Sequence, residues 1–342
     1  MLLVLAGSLV TSTDSGLSVP DWPTTYGWNM FAFPPSKWVG GIFYEHGHRL
    51  IASSVGFLTI VLAAWLWIAE PRRWMRRLGV TALAAIVAQG LLGGLTVIFF
   101  LPAPVSIAHA GLAEVFLCLT VAIALFTSPG WIAGYGPRPS DPPVAPVATT
   151  LVANHARLRR VTTATTALIY VQILLGATMR HTGAGLAIPD FPLMFGRLAP
   201  DHWTPRIAVH FAHRVGALVV TLAVIAIFLL RYRQRQRPEL TRPATLLAGL
   251  VAVQVALGAL TVLSRRDVWI NSLHVVCGAL VLTTSLVLTL RTWRRMFAED
   301  QSGERVRTVP WAHPSSTGRG LPASTRGVSV GEGPSRPDRA RA

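Results

Sequence analysis

The sequence predicts an all-α integral membrane protein with eight transmembrane helices arranged as two tandem four-helix bundles. Three observations predict it. Apolar residues make up 51% of the 342 positions and charged residues only 13%, with a mean hydropathy of +0.48, which sets the chain apart from soluble globular domains. Apolar runs near 44–69, 78–100, 105–127, 158–179, 206–230, 244–263 and 268–290 each approach or exceed the roughly 20 residues that cross a hydrocarbon core, and residues 1–12 read as an eighth run cut short. Finally, the two halves of the chain repeat one another.

The repeat runs at two offsets. Gly7, Thr13, Gly16, Leu17, Pro20, Asp21, Pro23 and Gly27 recur 169 positions later as Gly176, Thr182, Gly185, Leu186, Pro189, Asp190, Pro192 and Gly196. Beyond a four-residue shift the offset becomes 165: His48 and Arg49 meet His213 and Arg214, Gln89 meets Gln254, Gly93 meets Gly258, and His109 meets His274. An even number of spans per unit makes the repeat parallel. The expected domains are therefore an N-terminal unit (1–127), a linker rich in Pro, Gly and Ala (128–153), a C-terminal unit (154–296) and a disordered cytoplasmic tail (297–342). Span five starts near Leu158, so its first-half partner should start about eleven residues before Met1, which leads us to expect a start codon further upstream or an incomplete first helix. The N-terminus has no basic n-region and reads as a helix, not a signal peptide.

The net charge of +16 does not point to nucleic acid, because the arginines sit in blocks beside the spans. The blocks at 72–77, 157–160, 231–242 and 291–295 fall on one side if the helices alternate, which predicts a plasma-membrane protein with these turns and its tail in the cytoplasm. The opposite loops, 13–43 and 181–205, are poor in basic residues, and Arg265 and Arg266 are the exception in a short outer turn. The two cysteines, Cys118 and Cys277, fall inside spans and read as small buried residues rather than a disulfide framework.

Four histidines, His48, His109, His213 and His274, lie a similar distance inside the outer ends of four different spans, and those in each half are 61 residues apart. A lone histidine near a helix end is ordinarily an interface anchor. A duplicated pair at matched depth suits a haem iron instead, which takes one neutral imidazole on each face. Zinc fits less well, since it wants three or four clustered ligands. Gly47, Gly111, Gly216 and Gly278 are expected to let a flat macrocycle approach the backbones. Glu45, three residues before His48, shares its helical face, and its second-half equivalent is His210. Glu45 reads equally as a pocket acid or as a solvated first-turn residue.

Arg49 and Arg214 could pair with haem propionates or anchor at the interface. Glu114 is an intramembrane acid that should face the bundle interior, although five residues from His109 it is expected to point elsewhere on its helix. His155, His181, His202 and His313 have no repeated partner and do not read as ligands. The loop around Asp21 and its copy around Asp190 read as rigid lids, with Pro, Gly and Asp setting the turns.

Taken together, the segment Gly16-Leu17-Ser18-Val19-Pro20-Asp21-Trp22-Pro23, the stretch Glu45-His46-Gly47-His48-Arg49, the pair His213-Arg214, and His109 and His274 resemble the haem A synthase family over about residues 1–295. The resemblance implies two similar four-helix halves, each with a bis-histidine haem site near the outer face. It implies that His213 and His274, with Arg214, hold a haem b cofactor, while His48 and His109, with Arg49, take the substrate haem O. Glu45 would then assist two successive oxidations of the C8 methyl group to the formyl group of haem A, as a base or by stabilising positive charge. The implied partners are haem O, the lipid bilayer, haem O synthase, a redox partner and a second copy of the chain, with no nucleic acid. Many relatives carry a cysteine pair where Val19 and Thr25 stand, so no thiol-dependent step carries over. The main alternative is a di-haem membrane cytochrome b that only relays electrons, which leaves Glu45 without a task. A transporter with its substrate at the repeat interface would want polar groups near the bilayer centre, whereas here they cluster at the rim.

Overall fold

Because a lipid core offers no hydrogen bonds to the backbone, each long apolar run must close its hydrogen bonds within itself, as a helix does. The computed structural model describes residues 1–132, 149–232 and 238–307, and every expected span within them is helical. In chain order the helices are α1 (Leu2–Ser12), α2 (Gly41–Ala69), α3 (Arg73–Ile98), α4 (Ala103–Thr127), the short α5 (Pro129–Ile132), α6 (Thr149–His181), α7 (Pro205–Tyr232), α8 (Pro238–Leu263) and α9 (Val268–Arg307). Proline punctuates them. Pro71 follows the end of α2, and Pro205 and Pro238 open α7 and α8, where a missing N–H costs nothing. Among the described residues, seven helices are long and apolar enough to cross a membrane, and α1, of eleven residues, is shorter.

The helices start and stop close to the expected bounds, except that α6 begins at Thr149 and α9 continues to Arg307. Both extend into segments read from the sequence as linker and tail. Arg, Ala, Glu and Gln in these extensions are good helix formers, and composition rich in polar residues does not by itself end a helix. The rest of those segments, 133–148 and 308–342, lies outside the described residues, as do His313 and the side chain of His155.

Neighbours in sequence pack together: α1 on α2, α2 on α3, α3 on α4, α6 on α7 and α7 on α8, with α4 against α6. Buried apolar side chains gather in two clusters. Leu66, Met75, Ala82, Ile86, Phe116 and Ile123 come from α2–α4, and a larger group around Val224, Ile227, Leu247 and Leu282 comes from α6–α9.

The sequence repeat is also a backbone repeat. The loops 13–40 and 182–204 each hold one isolated bridge, Thr25 with Trp28 and Met194 with Arg197. Tyr26 and Gly27 have positive φ, as do Phe195 and Gly196 at the matching places. The short turns after α3 and α8 agree too, with φ of 56° and 59° at Phe100 and Leu101 and of 54° and 68° at Arg265 and Arg266.

At the opposite end, Arg72 ties the α2–α3 turn together. Its Nε and Nη2 donate to the two carboxylate oxygens of Glu70 at 2.6 and 2.8 Å, and its Nη1 reaches the carbonyl of Phe126 at the end of α4 at 3.1 Å. Hydrogen bonding from Arg72 holds the Glu70 carboxyl at about 2, below its ordinary 4.5. A group whose folded value is depressed stabilises above its unfolded value and loses that contribution as pH falls through the folded one. Glu70→Gln should therefore remove part of the fall in Tm between pH 4.5 and 2, and thermal melts of both proteins in detergent across that window check it.

Candidate functional site

The four histidines occupy equivalent positions, each near the start of the second helix of a pair. In each case the ring lies on a glycine of the preceding helix. A Cβ built on Gly7, Gly93, Gly176 or Gly258 would stand 3.1, 3.2, 3.0 or 3.1 Å from Cε1 of His48, His109, His213 or His274 respectively, tighter than ordinary contact. These glycines are thus cradles that any side chain would fill. The glycines expected from the sequence do something else: Gly47 has no side-chain neighbour, Gly111 faces Leu174, and Gly216 and Gly278 lie against Gln172 and Gln254.

Those glutamines matter. The Gln172 amide donates to the carbonyl of His213 at 2.7 Å and sits 3.0 Å from its Nδ1. Gln89 donates to the carbonyl of His109 at 3.0 Å and lies 3.3 Å from its Nε2, and Gln254 lies 3.4 Å from Nε2 of His274. His48 has no such neighbour, since Leu3 stands where the repeat would put Gln172's counterpart. Among the described residues the Nδ1 atoms of His48, His109 and His274 are buried without a partner, and buried polar atoms in that state imply a ligand or water.

All four histidines line one cavity of about 1770 Å³ with walls mainly of apolar side chains. That volume exceeds the roughly 300–1,000 Å³ that holds a drug-sized ligand. His48 lies within electrostatic reach of His109, and His274 of His213. Among the described residues no three His, Cys, Asp or Glu side chains gather as zinc would need. Paired imidazoles, glycine cradles, unpartnered ring nitrogens and a large apolar cavity fit haem.

Over the cavity, each long loop is tied to a helix by the arginine that follows the histidine. Arg49 donates to the carbonyls of Asp21, Thr24 and Val19 at 2.7, 3.0 and 2.9 Å and to Glu45 Oε1 at 2.8 Å. The other oxygen of Glu45 accepts the Val19 N–H at 2.8 Å, and the acid is 4% exposed. Glu45 is therefore neither solvated nor free, yet it remains part of the cavity wall. In the second half Arg214 donates to the carbonyls of Leu193, Ile188 and Asp190. There His210 replaces the acid, with the Ile188 N–H 3.3 Å from Nδ1 and Arg214 Nε 3.2 Å from Nε2. A neutral imidazole can accept at only one nitrogen, so this clamp is the looser of the two.

Asp21 takes the N–H groups of Tyr26 and Gly27 and the Thr24 hydroxyl, and Asp190 takes those of Phe195 and Gly196. Although burial pushes the Asp21 carboxyl up, those hydrogen bonds hold it below the usual carboxylate range. The Gly196 N–H is the main cause of the same shift at Asp190. Both aspartates build lids.

Residues 1–286 match the COX15-CtaA family, described as cytochrome oxidase assembly protein. The chain belongs to that family. It is 32% identical to the heme A synthase of Symbiobacterium thermophilum over 80% of this chain and 85% of that protein. It is 28% identical to the heme A synthase of Halalkalibacterium halodurans over 83% and 90%, and 30% identical to that of Shouchella clausii over 77% and 83%.

Three residues of this family member were missed or misplaced in the sequence. His46 is fully buried, its Nδ1 3.2 Å from the Thr25 hydroxyl and its ring packed on Phe33 and Trp38, so it anchors the lid from below. Its second-half counterpart is Phe211, which packs on Trp203. His181 is not in a loop: it ends α6 and lines the cavity within electrostatic reach of His109. Glu114 does not point away from the site but lines the same cavity, 5% exposed, with Oε2 unpartnered. His202 is exposed and pairs with Asp201.

Removing Arg49 would leave Glu45 Oε1 and three loop carbonyls without their donor. Arg49→Met should destabilise the protein by roughly 3–5 kcal/mol, as loss of one member of a buried ion pair does, and expose residues 13–40 to protease. Limited proteolysis and a detergent melt measure both effects, and unchanged cleavage would rule out the clamp.

Proposed function

We propose that this chain is a haem A synthase, oxidising the C8 methyl group of haem O to the formyl group of haem A for terminal oxidase assembly. The observation that carries the proposal is the fourfold seating of a histidine on a helix glycine inside one large apolar cavity. Family membership and the names of the relatives support it. His213 and His274 would hold the haem b cofactor and His48 and His109 the substrate, whose C8 methyl carbon would give up four electrons in all, to an acceptor outside the chain, on its way to the formyl group. Haem supplies the redox chemistry when bound. The chain's own groups hold and orient. Gln172, Gln89 and Gln254 fix imidazole orientation, as partners of ligand histidines do, and the lids keep water from the cavity.

Glu45 would serve the first half as base or as fixed negative charge, held by Arg49 and the Val19 N–H so that it faces the cavity without swinging free. Arg49 and Arg214 would act chiefly by closing the lids, while adding positive charge to the cavity wall. We further propose eight spans in two four-helix units (1–127 and 154–296), with α1 contributing to the eighth. The arginine-rich turns and tail would face the cytoplasm and the lids the outer side of the plasma membrane. Haem O synthase, a redox partner and a second copy of the chain are the further partners we propose.

Co-expression with haem O synthase followed by haem extraction tests the reaction. Haem A is the expected product, and haem O alone would leave a di-haem electron carrier. In the same system His274→Ala should halve bound haem, losing haem b. His48→Ala should retain haem b and yield no haem A, and full retention of product would remove the first-half assignment.

A further inference from the structure

Lids and histidines match between the halves, but the cavity mouths do not. Arg180 lies in the last turn of α6, one turn beyond Gly176, and its Nη2 donates to the Ser8 carbonyl at 2.7 Å and to Ser12 Oγ at 2.8 Å. Its Nε is buried with no partner among the described residues. Arg266, in the turn between α8 and α9, runs its stem past Gly185, and its guanidinium forms no hydrogen bond or ion pair among the described residues. Both arginines line the cavity, and Arg180 lies within electrostatic reach of Arg266 and of His274, with Asp14 the acid that acts on it.

The first half has no such pair: the repeat sets Thr11 at the place of Arg180 and Leu101 at that of Arg266. Two guanidiniums brought together in a partly buried place are costly unless an anion joins them, and a planar carboxylate is the geometric match for their donors. Arg214, the arginine beside His213, is committed to three loop carbonyls.

We propose that Arg180 and Arg266 form an anion site that binds the carboxylates of the porphyrin held by His213 and His274. This rests on the haem function proposed above. The site makes the second half a place of retention, whereas the first half, with Thr11 and Leu101 at these two places, has no arginine pair to hold its porphyrin.

The test uses the full chain carrying His48→Ala and His109→Ala, purified in detergent and titrated with ferric protoporphyrin IX and with its dimethyl ester, following Soret absorbance. The diacid is expected to bind about tenfold tighter than the diester, as one or two charge-assisted hydrogen bonds warrant. Adding R180T and R266L, the first half's own residues, should abolish that advantage and leave diester affinity unchanged. Arg266→Lys alone, which keeps the charge, should retain part of it. Equal binding of diacid and diester before substitution overturns the site. So does an advantage that survives R180T/R266L, since the charges would then serve another anion such as a lipid phosphate. A loss of both porphyrins alike overturns it too. If neither porphyrin binds to the parent, the haem function falls, and the anion site with it.

Discussion

The contact between an imidazole and a helix glycine, made four times, is the constraint from which the rest of the structure follows. With a Cβ at any of the four glycines about 3 Å from a ring carbon, the two helices can approach only where the glycine faces the histidine. That fixes the register of α1 on α2, α3 on α4, α6 on α7 and α8 on α9. The effective building unit is thus a pair of helices, the first bearing glycine and the second histidine. Small residues at membrane-helix interfaces usually let backbones approach one another. Here they admit a ring, and the result is an imidazole held at a set depth in an apolar cavity.

On that shared scaffold the two halves diverge at the cavity wall. Glu45 is answered by His210, Leu3 by Gln172, Thr11 by Arg180, Ser12 by His181 and Leu101 by Arg266. Each exchange alters charge or hydrogen bonding without altering the backbone, as the matched positive-φ turns attest. The exchanges also cross the repeat boundary. Ser12 on α1 takes hydrogen bonds from Asn271 and Ser272 on α9, and His181 on α6 lies near His109 on α4. Each pair of histidines is therefore bordered by a helix end from the other half.

The lids show why conspicuous acids need not be chemical. Asp21 and Asp190 spend their oxygens on backbone N–H groups of the turn they close, and the arginines after His48 and His213 collect the carbonyls of the same loops. Both strands of that arrangement satisfy main-chain polar groups that would otherwise be buried unpaired. The stronger clamp is in the first half, because a carboxylate accepts at two oxygens and an imidazole at one nitrogen.

Signals that run along one dimension were legible in the chain itself. Apolar run length marks helices because lipid forces backbone hydrogen bonds inward, prolines mark their ends, and the twofold spacing of His48, His109, His213 and His274 marks the repeat. What the sequence could not disclose is which side chains meet across helices. Proximity in sequence singled out Gly47, Gly111, Gly216 and Gly278, and gave no sign of Gly7, Gly93, Gly176 and Gly258 on neighbouring helices, on which the histidine rings rest. Helical phase alone turned Glu114 away from His109, whereas the cavity is deep enough to include both. From the sequence Arg49 and Arg214 could meet an anion or anchor at the interface, and the fold gives both of them loop carbonyls as partners. Helix formation is decided locally by hydrogen bonding and apolarity, but the walls of a cavity are decided by interhelical packing, which only the tertiary structure specifies.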